Sequence, residues 1–419
     1  MHRVHRRRIL TAGAGAGLSL LLSRWLERHA LADGSAAPPA RATSIIVLWM
    51  NGGPSHIDTW DPKTGKTGGS HKSIATSVPG LRISEHMPQL AKVANKLAVV
   101  RGMTSKEGNH QRAQYLLRTG YSPNPTVSHP SLGAWMSLRR GAVPNGLPPF
   151  VSLGGPSVGG GFFGVQHGPF VAQPPGAAPP NVAYGPFVDA ERFEARRKLL
   201  ADADARFAKE TGDVKVEGRR AVYEQAYKLM HSAHIKAFDV SEEPASVRAA
   251  FGDAPFGQGC LAAVRLVAAG VRFVEVTLDG WDTHQDNFGR TKRLMGTLDP
   301  AMSHMLLELG KRGLLDHTLV VWMGDFGRTP RINGNDGRDH YPAAWSAVLA
   351  GAGVRGGVVH GATDAEGAKV VRDPVRVPDL LATIATIGGL DPHDTAMSPA
   401  GRPISLTDGG TPVRELLAP

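Results

Sequence analysis

Seven ionisable residues lie in a short C-terminal stretch of the chain, and their types suit a divalent metal with an anion beside it. Carboxylate oxygens and imidazole nitrogens together are a ligand set of zinc, manganese or iron, and arginine binds oxyanions in a bidentate manner. We therefore predict that the seven residues form one site. They are Asp282, His284, Asp325, Arg328, Arg338, Asp339 and His340.

The positions of these residues behind apolar runs explain how the fold would bring them together. The run Val271 to Leu278 precedes Asp282 and His284, and the run Thr318 to Met323 precedes Asp325. The last three residues, Arg338 to His340, lie in a loop rich in glycine and asparagine. Parallel strands of an α/β sheet present their chemistry at their carboxyl ends, so the sequence predicts a site at this edge of the sheet.

Each motif also has a purely structural interpretation. Asp282 and the threonine after it would cap a helix that begins near Gln285, with His284 in its first turn. Asp339 would likewise cap a helix after a polar turn. Because three such motifs coincide, we favour metal binding over capping.

Two further candidates lie in the N-terminal half. The apolar run Ser44 to Met50 ends at Asn51, a weak oxygen ligand, and His56 and Asp58 behind it fit metal binding and a polar turn equally well. His110 precedes a helical pattern, so we expect it at a helix N-terminus, where anions are stabilised. The roles of ligand, general acid or base and nucleophile all stay open for His110.

Apolar runs of strand length alternate with helical patterns along the chain. This order predicts the α/β class, as an α/β/α sandwich with a largely parallel central sheet. One domain would cover residues 43–419. Within it, the glycine and proline content of residues 154–186 predicts a long loop rather than a core element, and residues 187–250 read as a helical insertion.

Residues 1–42 are predicted to be a twin-arginine signal peptide and a linker. Arg6 and Arg7 precede an uncharged run from Thr11 to Leu22 that is short for a transmembrane span, and Ala30 to Ala32 offers a cleavage site. The alternative is an uncleaved amphipathic anchor. We expect a periplasmic or secreted protein, with no transmembrane segment beyond the signal.

Composition excludes several classes of protein. The formal net charge of +10 includes the arginines of the signal, and aromatic residues make up only 6% of the chain. Because the basic residues are dispersed, nucleic-acid binding is not expected, although a mildly basic surface favours anionic substrates. The single cysteine, Cys260, lies in an apolar helical pattern, so it is expected to pack in the core and no disulfide framework exists.

The motifs as a set resemble the bacterial domain-of-unknown-function family 1501 over nearly the whole mature chain. This family resembles a branch of the alkaline phosphatase and sulfatase superfamily. The resemblance implies one or two divalent metals at the carboxyl edge of the sheet and the hydrolysis of phosphate or sulfate esters. The motifs that carry it include Gly52-Gly-Pro-Ser-His-Ile-Asp, Asn109-His110, Leu117-Arg-Thr-Gly120, Gly280-Trp-Asp-Thr-His, Gly324-Asp-Phe-Gly-Arg-Thr-Pro and Gly337-Arg-Asp-His.

The resemblance also implies roles for single residues. Asp282 and His284 resemble the Asp and His ligands that follow a later strand, and His340 resembles the last histidine ligand. Asp325 resembles the aspartate of an Asp-His motif. In that motif Phe326 replaces the histidine.

Three positions depart from the superfamily pattern or compensate for a departure. Asn51 stands where an aspartate ligand usually ends the first strand, and Asp339 would compensate for the histidine that is missing. The position of the sulfatase nucleophile falls on His110 rather than on Ser, Thr or Cys.

We therefore predict an exported hydrolase of phosphate or sulfate esters that uses a divalent metal, with zinc, manganese, calcium and magnesium all open. The substrate would be an anionic ester. The alternatives are a non-catalytic protein of the same fold that keeps the metal, and a structural or carbohydrate-binding envelope protein. The predicted catalytic residues are His110, Arg328 and Arg338, and the predicted metal ligands are Asn51, Asp282, His284, Asp325, Asp339 and His340.

Overall fold

The structure is a computed structural model that describes residues 42–211 and 215–419, so the predicted signal peptide lies outside the described residues. Within these ranges no helix combines the length and the apolar character that a membrane span requires. The α-helices are α1 (Pro88–Lys92), α2 (His110–Thr119), α3 (Leu132–Arg140), α4 (Ala190–Thr211), α5 (Lys215–Met230), α6 (Ala245–Ala250), α7 (Pro255–Ala268), α8 (Asn287–Lys311) and α9 (Val377–Ile387). The strands are β1 (Ser44–Met50), β2 (Ser73–Ala75), β3 (Arg82–Ser84), β4 (Leu97–Thr104), β5 (Phe150–Leu153), β6 (Phe170–Ala172), β7 (Phe273–Leu278), β8 (Thr318–Gly324), β9 (Gly327–Arg328), β10 (His340–Tyr341), β11 (Trp345–Gly351), β12 (Val358–His360), β13 (Ala362–Thr363), β14 (Val370–Arg372), β15 (Val375–Arg376), β16 (Thr395–Met397) and β17 (Pro403–Ser405).

A nine-stranded sheet forms the centre of the fold. Its order is β12-β4-β11-β8-β1-β7-β5-β6, with β15 paired to β4. Neighbouring strands are parallel, except that β11 runs antiparallel to both β4 and β8. The predicted class, an α/β fold with a largely parallel central sheet, is confirmed.

The central strand β1 contributes to a hydrophobic core on each face of the sheet. Leu48 packs in the core that contains α7 and α8. Its neighbours Val47 and Trp49 pack in the core that contains α2, α3 and α9. Successive side chains of a strand point to opposite faces, so a strand that is buried on both faces has a continuous apolar sequence, as β1 does. The layers are therefore those of an α/β/α sandwich.

Three features differ from the sequence prediction in detail. The glycine- and proline-rich segment contributes a strand, because β6 pairs with β5 in parallel and buries Ala172. The antiparallel strand β11 was not predicted. Ala42, assigned to the linker, is buried and its N–H donates to the carbonyl of Ile387 at 3.0 Å, so this residue belongs to the folded body.

Residues 187–250 are mostly helical and contain α4, α5 and α6. Cys260 is buried in α7.

The topology sets the candidate site residues at one edge of the sheet. β7, β1 and β8 are adjacent and parallel, so the segments after them begin side by side. β4 runs in the same direction, since it is antiparallel to β11 and β11 is antiparallel to β8. The chain leaves β4 toward His110 at the start of α2.

Candidate metal centre

Three imidazole rings converge on one carboxylate oxygen, Oδ1 of Asp282. The Nε2 atoms of His110, His284 and His340 lie 3.4, 3.2 and 3.3 Å from this oxygen. The Nε2 atoms of His284 and His340 are 3.0 Å apart. Ligand atoms around a tetrahedral zinc ion with bonds of about 2.0 Å are separated by about 3.3 Å. The donor atoms of His110, Asp282 and His340 all lie within 4.8 Å of one another, and His284 approaches this group through its contacts with Asp282 and His340.

A hydrogen bond from Nδ1 orients each of the three imidazole rings. Nδ1 of His110 donates to Oδ2 of Asp325 at 2.6 Å, and Nδ1 of His284 donates to Oδ1 of Asp339 at 2.8 Å. Nδ1 of His340 donates to the carbonyl of Gly108 at 2.7 Å. Since carboxylates and carbonyls only accept, all three Nδ1 atoms carry the hydrogen, and neutral rings turn a lone pair on Nε2 toward Asp282. Metal-binding histidines show this pattern of partners.

The contact between His284 and His340 needs a positive charge between the rings. With both Nδ1 atoms donating, two neutral imidazoles would place Nε2 lone pairs against each other at 3.0 Å. Either an extra proton or a metal cation relieves this repulsion. Burial lowers the pKa of His340, which disfavours the extra proton on this ring.

The pKa shifts of Asp282 and His110 also indicate that the site favours positive charge. Partial burial opposes ionisation of Asp282, but the hydrogen bond and charge of Arg328, together with His110 and His284, lower the pKa of Asp282 to about 2. Burial likewise opposes a charged His110, yet the bond to Asp325 and the nearby carboxylates raise its pKa. The carboxylates thus favour positive charge in this pocket.

One buried atom of the cluster and one beside it lack hydrogen-bond partners. They are Nε2 of His110 and Oδ1 of Asp325. A buried polar atom without a partner is costly, and both belong to residue types that bind metals. The donor set and these atoms fit a divalent cation.

Arg328 ties the cluster to the turn after β1. Its Nη2 donates to Oδ1 of Asp282 at 2.7 Å and also to the carbonyl of Gly52, and its Nε donates to the carbonyl of Gly53 at 2.9 Å. Gly52 is required here, because its φ is +109° and a Cβ would lie 2.4 Å from the backbone nitrogen of Asp282. The arginine therefore orients the carboxylate on which the imidazoles converge.

Comparison with protein families identifies the chain. The family model described as "Protein of unknown function (DUF1501)" matches residues 42–417. The chain belongs to the DUF1501 family. No curated protein sequence matches it significantly.

Solved structures similar to this DUF1501 protein include a sulfatase, a phosphonate monoester hydrolase and an alkaline phosphatase. A sulfatase from Pseudoalteromonas sp. is 14% identical, with a TM-score of 0.37 over 84% of this chain and 68% of that chain. A phosphonate monoester hydrolase from Silicibacter pomeroyi is 13% identical, with a TM-score of 0.38 over 90% and 77%. A mutant of TAB5 alkaline phosphatase with bound Mg is 10% identical, with a TM-score of 0.39 over 84% and 99%.

Asn51 and Asp325 lie beside the converging atoms. The amide of Asn51 donates to Asp279 at 2.6 Å and its Oδ1 accepts from Gln114 at 2.7 Å. The same Gln114 nitrogen lies 3.4 Å from Oδ2 of Asp325. Asn51 is therefore linked to the cluster through Gln114, a residue that the sequence motifs did not single out.

Arg338 does not face the cluster, contrary to its predicted contact with an oxyanion. Its side chain is fully buried and forms an ion pair with Asp58, at 2.7 Å from Nε to Oδ2. The remaining donors bind the carbonyls of Thr67, Thr329 and Pro330 at 2.6 to 3.0 Å. With every donor engaged, this guanidinium has none left for a substrate.

Arg328 is also fully buried, and each of its three nitrogens donates to a described residue. We therefore move both arginines from the catalytic set to a positioning role.

Asp58 and His56, left open between ligand and turn residue, are both structural here. Asp58 accepts from Arg338 and also from the amide of Asn287 at 2.9 Å. Asn287 in turn accepts from the hydroxyl of Thr283, which lies between two candidate ligands. Nε2 of His56 lies 2.8 Å from the carbonyl of Gly367, and burial lowers the pKa of this histidine.

Phe326 stands where the resemblance leads one to expect a histidine ligand, and it serves as an apolar wall. Its ring stacks on His110 with centroids 4.9 Å apart, and the centroid of His340 lies 4.7 Å away. Phe326 is fully buried. The ring therefore restricts the orientation of two imidazoles without binding a metal itself.

Proposed function

We propose that this chain is an exported, metal-dependent hydrolase of phosphate or sulfate esters. The observation that carries the proposal is the convergence of three Nε2 atoms on Oδ1 of Asp282, at 3.2 to 3.4 Å. His110, Asp282, His284 and His340 would hold the ion. Three nitrogens and one carboxylate favour zinc or manganese over calcium and magnesium, which prefer oxygen ligands.

A bound divalent ion supplies Lewis acidity toward an ester or water oxygen. The protein contributes the orientation of the ligands: Asp325, Asp339 and the carbonyl of Gly108 each hold one ring by Nδ1–H. Arg328 holds Asp282. Because the Asp282 side chain is 47% exposed, a substrate in solution can reach the centre.

His110 fits a ligand better than a nucleophile. Its Nδ1 is bonded to Asp325 and its Nε2 faces Asp282, so neither nitrogen is directed at an approaching ester. Among the described residues, the side chains that hydrogen-bond to the four candidate ligands include no Ser, Thr or Cys. Water is then the natural nucleophile.

The convergence of the three imidazoles on Asp282 supports a rival function equally well. The rival is a non-catalytic protein that keeps the metal and binds an anionic ligand. The phosphate or sulfate class of the ester rests on the resemblance of the motifs. Turnover is therefore the measurement that separates the two.

The purified mature chain should hydrolyse an aryl phosphate or an aryl sulfate when it is loaded with zinc or manganese, and chelation should abolish this activity. Release of 4-nitrophenol from the phosphate and sulfate esters measures it. Stoichiometric metal without any turnover would favour the binding protein. A chain isolated without chelators that holds no metal would contradict both functions and leave a structural role.

The twin-arginine route is tested with a fusion of residues 1–42 to a folded reporter. The reporter should leave the cytoplasm, and the conservative changes Arg6→Lys and Arg7→Lys together should retain it there, because this route reads the paired arginines. Cell fractionation measures the outcome. Export that continues with both lysines present would contradict the assignment.

A further inference from the structure

A second group of metal-binding side chains lies at the base of the β2–β3 hairpin, away from the cluster of Asp282. It consists of His71, which precedes β2, and Glu85 and His86, which follow β3. One donor atom from each of the three lies within 4.8 Å of the other two. All three residues are partly buried, so an ion from solvent can reach them.

The hydrogen bonds of Thr291 on α8 determine the tautomer of His71. The Thr291 hydroxyl donates its one hydrogen to the carbonyl of Asn287 at 2.6 Å. It lies 2.9 Å from Nε2 of His71, so it must accept there and His71 must donate from Nε2. A neutral His71 therefore turns the lone pair of Nδ1 toward His86. A partner that fixes the free nitrogen in this way is characteristic of metal-binding histidines.

The other two donors face the same space. Nε2 of His86 lies 3.1 Å from Nδ1 of His71, with the two rings nearly perpendicular at 84°. Oε1 of Glu85 lies 4.0 Å from Nε2 of His86, too far for a hydrogen bond, and the backbone N–H of Lys72 orients this oxygen at 2.9 Å. A single ion can bridge this gap between carboxylate and imidazole.

The protonation states suit metal binding. Burial lowers the pKa of His71 and of His86, so both rings favour the neutral form that binds metals. The backbone N–H of Lys72, followed by the nearby histidines, lowers the pKa of Glu85, which favours its carboxylate form.

We propose that His71, Glu85 and His86 form a second metal site, for a divalent ion of the zinc class, that joins the hairpin to α8. Two nitrogens and one carboxylate select such an ion over calcium or magnesium. The ion closes the base of the hairpin through Glu85 and His86, and Thr291 connects His71 to α8. The alternative is a simple hydrogen bond from Nε2–H of His86 to Nδ1 of His71, which needs no ion.

Metal counting with zinc separates these two cases. The protein, stripped by chelation and reloaded with zinc, should hold one equivalent more than the variant His86→Gln. The variant Asp282→Ala should keep this additional equivalent. The control His304→Gln changes a histidine of α8 outside the group and should leave the count unchanged. Wild type and His86→Gln with the same zinc content would overturn the proposal.

This design separates the second site from the centre at Asp282. If only the second site exists, the wild type holds one equivalent, which His86→Gln loses and Asp282→Ala keeps. If only the centre at Asp282 exists, the wild type holds one equivalent, which Asp282→Ala loses and His86→Gln keeps.

A gentler variant keeps the test valid if His86→Gln folds poorly. Thr291→Val preserves the shape of the side chain but removes the hydroxyl that orients His71, so zinc affinity at this site should fall by about 10- to 100-fold. Cobalt(II) absorption during titration of the stripped protein measures the affinity. If His71 and His86 share only a hydrogen bond and no ion, Thr291→Val should not change cobalt binding. That result would also overturn the proposal.

Discussion

Replacing Asp282 with alanine is expected to empty the metal centre and to abolish turnover. Oδ1 of Asp282 is the atom on which all three imidazoles converge, and it is an anionic ligand. Loss of a partner outside the ligand set typically costs 10- to 100-fold in metal affinity, so loss of this ligand should cost more than about 100-fold. Elemental analysis and dye competition for zinc measure the effect.

A matched control lies on the same loop. Asp279 is an exposed carboxylate whose described side-chain contact is with Asn51, so Asp279→Ala should retain the metal. Asp325→Asn should give an intermediate loss, because it weakens the bond that orients His110 but removes none of the four proposed ligands. If Asp282→Ala binds zinc as tightly as the wild type, the proposed centre is wrong.

His110 distinguishes the interpretation from sequence from the one that the geometry favours. From sequence, the nucleophile, general acid or base and ligand roles were open, and a chemical role predicts that His110→Ala keeps the metal. The position of Nε2 against Asp282 instead favours a ligand, whose removal lowers metal affinity and activity together. The metal content of this variant therefore separates the roles.

The sheet and the edge that carries the candidate site could be predicted because they depend on local patterns. A strand buried on both faces is a continuous apolar run, and the polar residues after the runs of β1, β7 and β8 mark their carboxyl ends. The antiparallel strand β11 was missed for a physical reason. Its run, Trp345–Gly351, is as apolar as that of a parallel strand, and its direction is set by the preceding turn rather than by its composition.

The partners of the charged residues could not be predicted, because they are distant in the chain. Asp58 pairs with Arg338 across 280 positions, and His110 bonds to Asp325 across 215. A motif shows which groups are charged, but the fold decides whether a guanidinium meets a carboxylate or a substrate. This is why Arg338 was assigned to an oxyanion. Gln114 was overlooked because a helical glutamine is usually exposed.

Replacing Arg338 with methionine is expected to destabilise the fold by about 3–5 kcal/mol, because it leaves a buried carboxylate without its partner. The side chains of both Arg338 and Asp58 are fully buried. The substitution also removes the donors to the carbonyls of Thr67, Thr329 and Pro330. The shift of the urea unfolding midpoint, compared at equal slope, measures the loss of unfolding free energy.

Two comparisons make this prediction specific to the buried pair. Arg331→Met removes an exposed arginine of the same loop and should change the free energy of unfolding by less than about 0.5 kcal/mol. The double variant Asp58→Asn with Arg338→Met removes the stranded charge and should recover part of the loss, since the cost comes from an uncompensated buried charge rather than from the missing attraction. A direct catalytic role predicts the opposite pattern: Arg338→Met would unfold like the wild type but bind or turn over its anionic substrate poorly, and the double variant would recover nothing.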